Sequence, residues 1–377
     1  MNEKIKNNML KAEQHLQAFA YKSECATRLK DEVDDIRPSF FRDTDRILHT
    51  DSYTRYANKT QVFSNIENDN ISRRFIHVQL VSKIARTIGR ALNLNEDLIE
   101  AISLSHDLGH VPFGHTGEKI LNQLSKSYGE GCFKHNIQSA RILMNLENHG
   151  EGLNVSVEVL DGVLCHNGEF VENKYCPKHK TTEDFLEDYK NSYIYDDYDK
   201  KLVPMTLEGC VVRISDVIAY IGRDLEDAFK LNIIKKEDVP KYITDVLGDT
   251  NRKIVNTIVM DIINNSIDKN YIKMTPIIYE SLNRLKDFNY KNIYNKANTI
   301  EKVKEYELMF KTIFEYCLRQ LRENNKDARI YKIFLNDMSS EYRKNNSNER
   351  IVIDYIAGMT DDYFLKEYEI IKSNNKR

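Results

Sequence analysis

Between Val78 and Leu92 the apolar residues Val78, Val81, Ile84, Ala85, Ile88 and Leu92 recur every three or four positions, the spacing that gathers side chains on one face of a helix. The pattern continues through Leu98, Ile99, Ile102 and Leu104, stops at the Gly-Pro-rich stretch from Gly109 to Gly117, and returns at 136–146, 207–229 and 303–321. Only six prolines and fourteen glycines interrupt 377 residues, so breakers are too few to divide these runs. Strand-like alternation is rare; Arg350 to Tyr355 is the best instance, and it equally suits the start of a helix. The expected fold is all-α.

A hydrophobic fraction of 41% with 30% charged residues belongs to soluble globular chains rather than disordered or fibrous ones. There is no apolar run of bilayer length, and the charged N-terminus lacks the apolar stretch of a signal peptide. The expectation is a cytoplasmic protein without a membrane partner. Six scattered cysteines (25, 132, 165, 176, 210 and 317) are too sparse for a disulfide framework. A net charge of −3 offers no global field for nucleic acid, though it allows a local basic groove for phosphates. Residues 1–240 read as a catalytic core, interrupted at 169–204 by a lid rich in acids and tyrosines whose charges are expected to be solvated. Residues 241–377 read as a helical region packed on that core, or as an oligomer surface.

Eight of the ten histidines lie between positions 77 and 179. His106 and Asp107 close an apolar helical segment, and adjacent helical residues point about 100° apart, so an ion shared between them sits at the helix surface. His77 opens an amphipathic helix upstream. Asp216 lies inside the apolar run VVRISDVIAYI, where a carboxylate is costly unless a cation or donor satisfies it. Two imidazoles and two carboxylates make a borderline-hard set suited to Mn, Fe, Co, Zn or Mg. An isolated His-Asp pair is usually a cap or a surface pair; the company of His77, Asp216 and a loop with two more histidines is what raises it above that. The Cys165-His166 and Cys176–His179 pairs fit no compact zinc-finger spacing.

The order His77, His106-Asp107, Asp216 resembles the HD-domain metal phosphohydrolases. The words FFRDTDRILHT (40–50), KTQVF (59–63), EAISLSHDLGHVPFGHTGEKILN (100–122), FKHNIQSARIL (133–143), RISDVIAYIGRDLEDA (213–228) and IDYIAGMTDDY near the C-terminus resemble its deoxyguanosine triphosphate triphosphohydrolase branch. That resemblance implies a helical fold and hydrolysis of a deoxynucleoside triphosphate, dGTP or another, to deoxynucleoside and tripolyphosphate. It implies His77, His106, Asp107 and Asp216 as ligands of a divalent metal (Mn, Mg, Fe or Co). It places His110, His115 and Glu118 in the block that supplies catalytic groups, and matches His135 to a phosphate-facing histidine and Arg74 to a phosphate-binding arginine. Gln61 matches a reader of the 3′-hydroxyl; Tyr220 and Asp224 match nucleotide contacts. A homo-oligomer and an effector nucleotide or single-stranded DNA are further partners it brings into view. Two departures stand out: Arg223-Asp224 replaces a common His-Asp pair, and TRYAN replaces an arginine-rich word before KTQVF. The alternatives are another HD-type nucleotidase or phosphodiesterase, or a silent nucleotide or DNA sensor on the same scaffold. The sequence leaves open whether His115 acts as acid, base or orienter.

Overall fold

A computed structural model describes residues 3–33, 35–62, 72–167, 171–297 and 299–374. Phe63 of the KTQVF word, Gly168, and Glu169 and Phe170 at the start of the acid- and tyrosine-rich excursion lie outside the described residues. The architecture is all-α: the β-structure named among the described residues is one antiparallel pair of two-residue strands, Lys174–Tyr175 against Ile272–Lys273.

The helices that build the site are α1 (Arg74–Ala91), α2 (Glu96–Ser105), α3 (Gly114–Ser127), α4 (His135–Arg141), α5 (Val157–Leu164) and α6 (Leu207–Lys230). Toward the C-terminus follow α7 (Ile300–Arg322), α8 (Asn348–Ala357) and α9 (Asp361–Asn374). In α1 the periodic residues Val78, Val81, Ala85 and Ile88 are all fully buried. Each such valine or isoleucine contributes about 1.5–3 kcal/mol relative to exposure. Asn95 starts α2 by accepting from the backbone N–H groups of Asp97 and Leu98, and Thr206 starts α6 by accepting from that of Gly209. The run Arg350–Tyr355 is helical, inside α8.

Two apolar clusters result. One joins α1, α2, α5 and α6 with the helices Asn251–Ser266 and Pro276–Asn289. The other joins α3 to α7, α8 and α9. The loop between α2 and α3 therefore lies where the two clusters meet. No described helix is long and apolar enough to cross a membrane.

The excursion is tied down more than its composition implies. Lys180 is buried and pairs with the fully buried Asp161 at 2.5 Å, and the buried Asp199 pairs with Lys134 at 2.7 Å. The expectation of solvated charges fails here because α4 and α5 supply buried or half-buried partners, and an unpaired buried charge is too costly to persist.

Candidate metal centre

Helix α2 ends at Ser105, and His106 takes the C-cap with its backbone N–H on Ile102 O. Its Nδ1 lies 2.7 Å from Ser103 O, an acceptor, so the hydrogen belongs on Nδ1 and the lone pair on Nε2. That Nε2 is buried and has no hydrogen-bond partner among the described residues. An orphaned buried acceptor costs about 1–3 kcal/mol, and its ring is already oriented as ligating imidazoles are, by an acceptor on the far nitrogen.

Three other side chains converge on it. His77, in the first turn of α1, has Nε2 3.0 Å from Asp216 Oδ1 and 3.8 Å from Asp107 Oδ2. His106 Nε2 lies 3.5 Å from Asp107 Oδ1 and 3.8 Å from Asp216 Oδ1. Every one of these separations is below the roughly 4.2 Å that two ligand bonds of about 2.1 Å can span across an ion. The four residues thus fit a divalent cation. Burial opposes a proton on His77, but the Asp216 carboxylate overrides it and holds the imidazole above its ordinary range. Burial, with the neighbouring His77, pushes His106 down despite Asp107 and Asp216. Burial also disfavours charge on Asp107, yet His106, His110 and Arg74 hold its carboxyl well below the usual range.

A second group adjoins the first. His110 Nε2 is 3.2 Å from Asp107 Oδ1, and its ring stacks on His135 at 4.1 Å. Glu118 Oε2 receives His135 Nδ1 at 2.8 Å and stands 3.5 Å from His115 Nδ1. His115 is 59% exposed while Glu118 is nearly buried, so of this pair the histidine meets solvent. His166 is fully buried, 3.9 Å from Asp107 Oδ1, and burial pushes its pKa down to about 3.

Among the residues matched to substrate contacts, Arg74 is buried, paired with Asp107, and donates to Thr60 O at 3.1 Å. Gln61 is half-buried, and its Oε1 is enclosed without a partner among the described residues. Tyr220 is half-buried on α6. Asp224 is 3% exposed and accepts from Tyr294 Oη at 2.8 Å, so it does not decorate a solvated helix end; burial lifts its pKa to about 7. Arg223 donates to Ser72 Oγ at 2.6 Å and flanks Asp227 at 3.7 Å.

The loop from His106 to Gly114 is fastened from outside the helices that carry the ligands. A Cβ on Gly109 would strike the His135 carbonyl oxygen and the Ser139 amide. The glycine there serves backbone packing against α4. Phe113 is left-handed at φ 62°, and its N–H donates to Asp361 Oδ1 at 3.2 Å. The other oxygen of Asp361 accepts from the Thr60 hydroxyl. Lys59, buried and depressed by that burial to about 7, donates to the carbonyls of His110 and, at 3.3 Å, Ala357. Lys59, Asp361, Tyr294 and His166 were not singled out from sequence. Lys59 and Asp361 lie within KTQVF and IDYIAGMTDDY, words that carried the resemblance without a role for these two residues, and His166 was noted only as half of the Cys165-His166 pair. Cys165 is buried and donates to Asp161 at 3.7 Å; it joins no histidine or carboxylate grouping of metal-binding geometry among the described residues.

An HD-domain model matches residues 74–221, and a phosphohydrolase-associated-domain model matches 272–370. The chain is 39% identical over 359 residues to a deoxyguanosinetriphosphate triphosphohydrolase-like protein of Caldanaerobacter subterraneus subsp. tengcongensis, covering 94% of this chain and 92% of the relative. It is 37% identical over 346 residues to a protein of the same description from Clostridium perfringens, covering 90% and 89%. For one from Rickettsia felis the identity is 31% over 373 residues, covering 90% and 93%.

Proposed function

Because this chain belongs to the family of HD-domain deoxyguanosinetriphosphate triphosphohydrolase-like proteins, we propose that it is a metal-dependent hydrolase cleaving deoxynucleoside triphosphates to deoxynucleoside and tripolyphosphate. The observation that carries this reading is the convergence of His77, His106, Asp107 and Asp216, with His106 Nε2 buried, unpartnered and aimed at two carboxylates. A divalent ion held by these four supplies Lewis acidity, polarising a phosphate oxygen and acidifying a water.

The chain's own residues do the rest. Arg74, fixed by Asp107 and the Thr60 carbonyl, holds a positive charge at the edge of the cluster that complements the negative charge of phosphoryl oxygens. We assign His115, exposed and beside Glu118, the proton that the departing 5′-oxygen of the deoxynucleoside takes up as its bond to the α-phosphorus breaks. His135, held at Nδ1 by the same carboxylate, turns Nε2 inward on the phosphate-facing side. Gln61 offers its enclosed oxygen, without a partner among the described residues, to a 3′-hydroxyl. Tyr220 and Asp224 continue outward from Asp216 along α6 as nucleotide contacts, with Asp224 held by Tyr294.

The test is a panel of ribo- and deoxynucleoside triphosphates incubated with added Mn, Mg, Fe or Co, with products separated by chromatography. Tripolyphosphate with free deoxynucleoside, and strong preference for the deoxy substrates, is the expected result. Release of monophosphate or pyrophosphate would replace this reading with a general nucleotidase, and no turnover with bound nucleotide would replace it with a sensor.

A further inference from the structure

His135 and His166 face each other through their Nε2 atoms at 3.1 Å. Their far nitrogens are already committed. His166 Nδ1 lies 2.6 Å from the Val163 carbonyl, and His135 Nδ1 lies 2.8 Å from the Glu118 carboxylate. Carbonyl and carboxylate oxygens only accept, so in each neutral ring the hydrogen sits on Nδ1 and the lone pair on Nε2. Two buried lone pairs then point at each other, an arrangement that repels unless something positive stands between them.

The geometry fits an ion. With bonds of about 2.1 Å, two imidazole nitrogens at right angles around a cation lie about 3.0 Å apart. The third donor is Asp107, whose Oδ1 is 3.9 Å from His166 Nε2, within the roughly 4.2 Å that two such bonds can span. The ligand atoms of Asp107, His135 and His166 all lie within 4.8 Å of one another. Asp107 lies between the two groups: its Oδ1 is 3.5 Å from His106 Nε2 and 3.9 Å from His166 Nε2, and its Oδ2 is 3.8 Å from His77 Nε2. Ligating imidazoles characteristically have their other N–H secured by a carboxylate or carbonyl, and both rings meet that condition.

We propose that Asp107, His135 and His166 form a second divalent-metal position, sharing the Asp107 carboxylate with the four-residue site so that the centre is dinuclear. This rests on the reading of the first site as a metal site. Two imidazoles and one carboxylate suit Mn, Fe, Co or Zn, and three protein donors leave coordination positions for a phosphate oxyanion. An ion there replaces the positive charge that a protonated His135 would otherwise present toward the substrate. A proton on His135 is the competing way to close the 3.1 Å contact, and counting ions separates the two.

The experiment uses the full chain, stripped by chelation and brought to equilibrium by dialysis against free Mn²⁺, with bound metal counted and low-temperature electron paramagnetic resonance recorded. Two ions per chain giving an exchange-coupled spectrum are expected. His166→Gln and, from the opposite side of the ion, His135→Gln should each keep one ion with the spectrum of an isolated Mn²⁺, with unchanged far-ultraviolet circular dichroism. One ion per wild-type chain, retained in both variants and lost in His106→Ala, overturns the second position and leaves the first intact. Two ions without coupling overturn the shared carboxylate. A single ion that survives His106→Ala but is lost in His166→Gln overturns the first site, and no bound ion overturns both.

Discussion

Replacing Asp361 with alanine should loosen the catalytic loop without removing any ligand. The carboxylate accepts from the Phe113 N–H at 3.2 Å and from the Thr60 hydroxyl, and it is 5% exposed. Its loss orphans two donors; each buried orphan costs about 1–3 kcal/mol, and removing a buried carboxylate returns part of that. A net destabilisation of about 2–4 kcal/mol follows. Phe113 is also held at φ 62°, a left-handed conformation that costs a non-glycine residue about 1–2 kcal/mol, so the freed backbone has reason to relax. His115 lies two residues further on, and a shift of about 1 Å in a positioned group can cost about 100-fold in rate. Urea unfolding, bound-metal analysis and steady-state hydrolysis of dGTP are the assays, run where the variant is folded. Metal content should hold, stability should fall by the stated amount, and kcat should drop more than about tenfold. Asp361→Asn should recover most of both losses, because its amide oxygen still accepts from Phe113 and its NH₂ can donate to the Thr60 oxygen. Wild-type turnover in Asp361→Ala, or an asparagine variant as impaired as the alanine one, would refute the clamp.

Four further outcomes are expected. Glu208 is fully buried, accepts from the Tyr21 and Asn95 amides, and is lifted by burial from 4.5 to about 7. A raised carboxyl stabilises below its unfolded pKa and loses that contribution as pH rises through its folded value, so the stability of wild type minus Glu208→Gln should fall by about 3 kcal/mol between pH 4.5 and just above 7; a difference flat with pH would contradict it. Arg141→Leu leaves Asp354, whose side chain is fully buried, without its 2.7 Å partner, and should cost about 3–5 kcal/mol in chemical denaturation. His106→Ala should lose metal and activity while circular dichroism stays helical, and stoichiometric metal in the purified variant would count against the ligand assignment. Asp224→Asn should raise KM for the deoxynucleotide with metal content unchanged; identical kinetics would leave Asp224 as a structural partner of Tyr294.

What sequence made legible is what local periodicity encodes. The helices expected over 78–92 and 207–229 appear as Arg74–Ala91 and Leu207–Lys230, because their apolar stripes have one way to be buried. His77, His106, Asp107 and Asp216 meet because each sits at a fixed place on one of three mutually packed helices or at a helix end. Long-range fastening left no such trace. Lys59 and Asp361 sit inside words that carry the resemblance, yet their roles appear only when partners about three hundred positions away are brought alongside. The burial of Lys180 against Asp161 is similarly invisible in a stretch rich in acids and tyrosines. His166 was visible as half of a Cys-His pair but not as a neighbour of His135, since nothing local fixes the crossing of α4 and α5.

The reach of the Asp361 clamp sets an order of events during synthesis. All four candidate metal-site residues have been translated once Asp216 is made, yet the loop that carries His110 and leads into His115 waits for a residue 145 positions later. At translation rates of about 5–20 residues per second, that interval is about 7–30 s. A nascent chain thus spends seconds with its ligand residues complete and its loop unlatched. On the proposed reading, full activity awaits one of the last helices, because a chain ending before Asp361 lacks the latch on the loop that leads to His115.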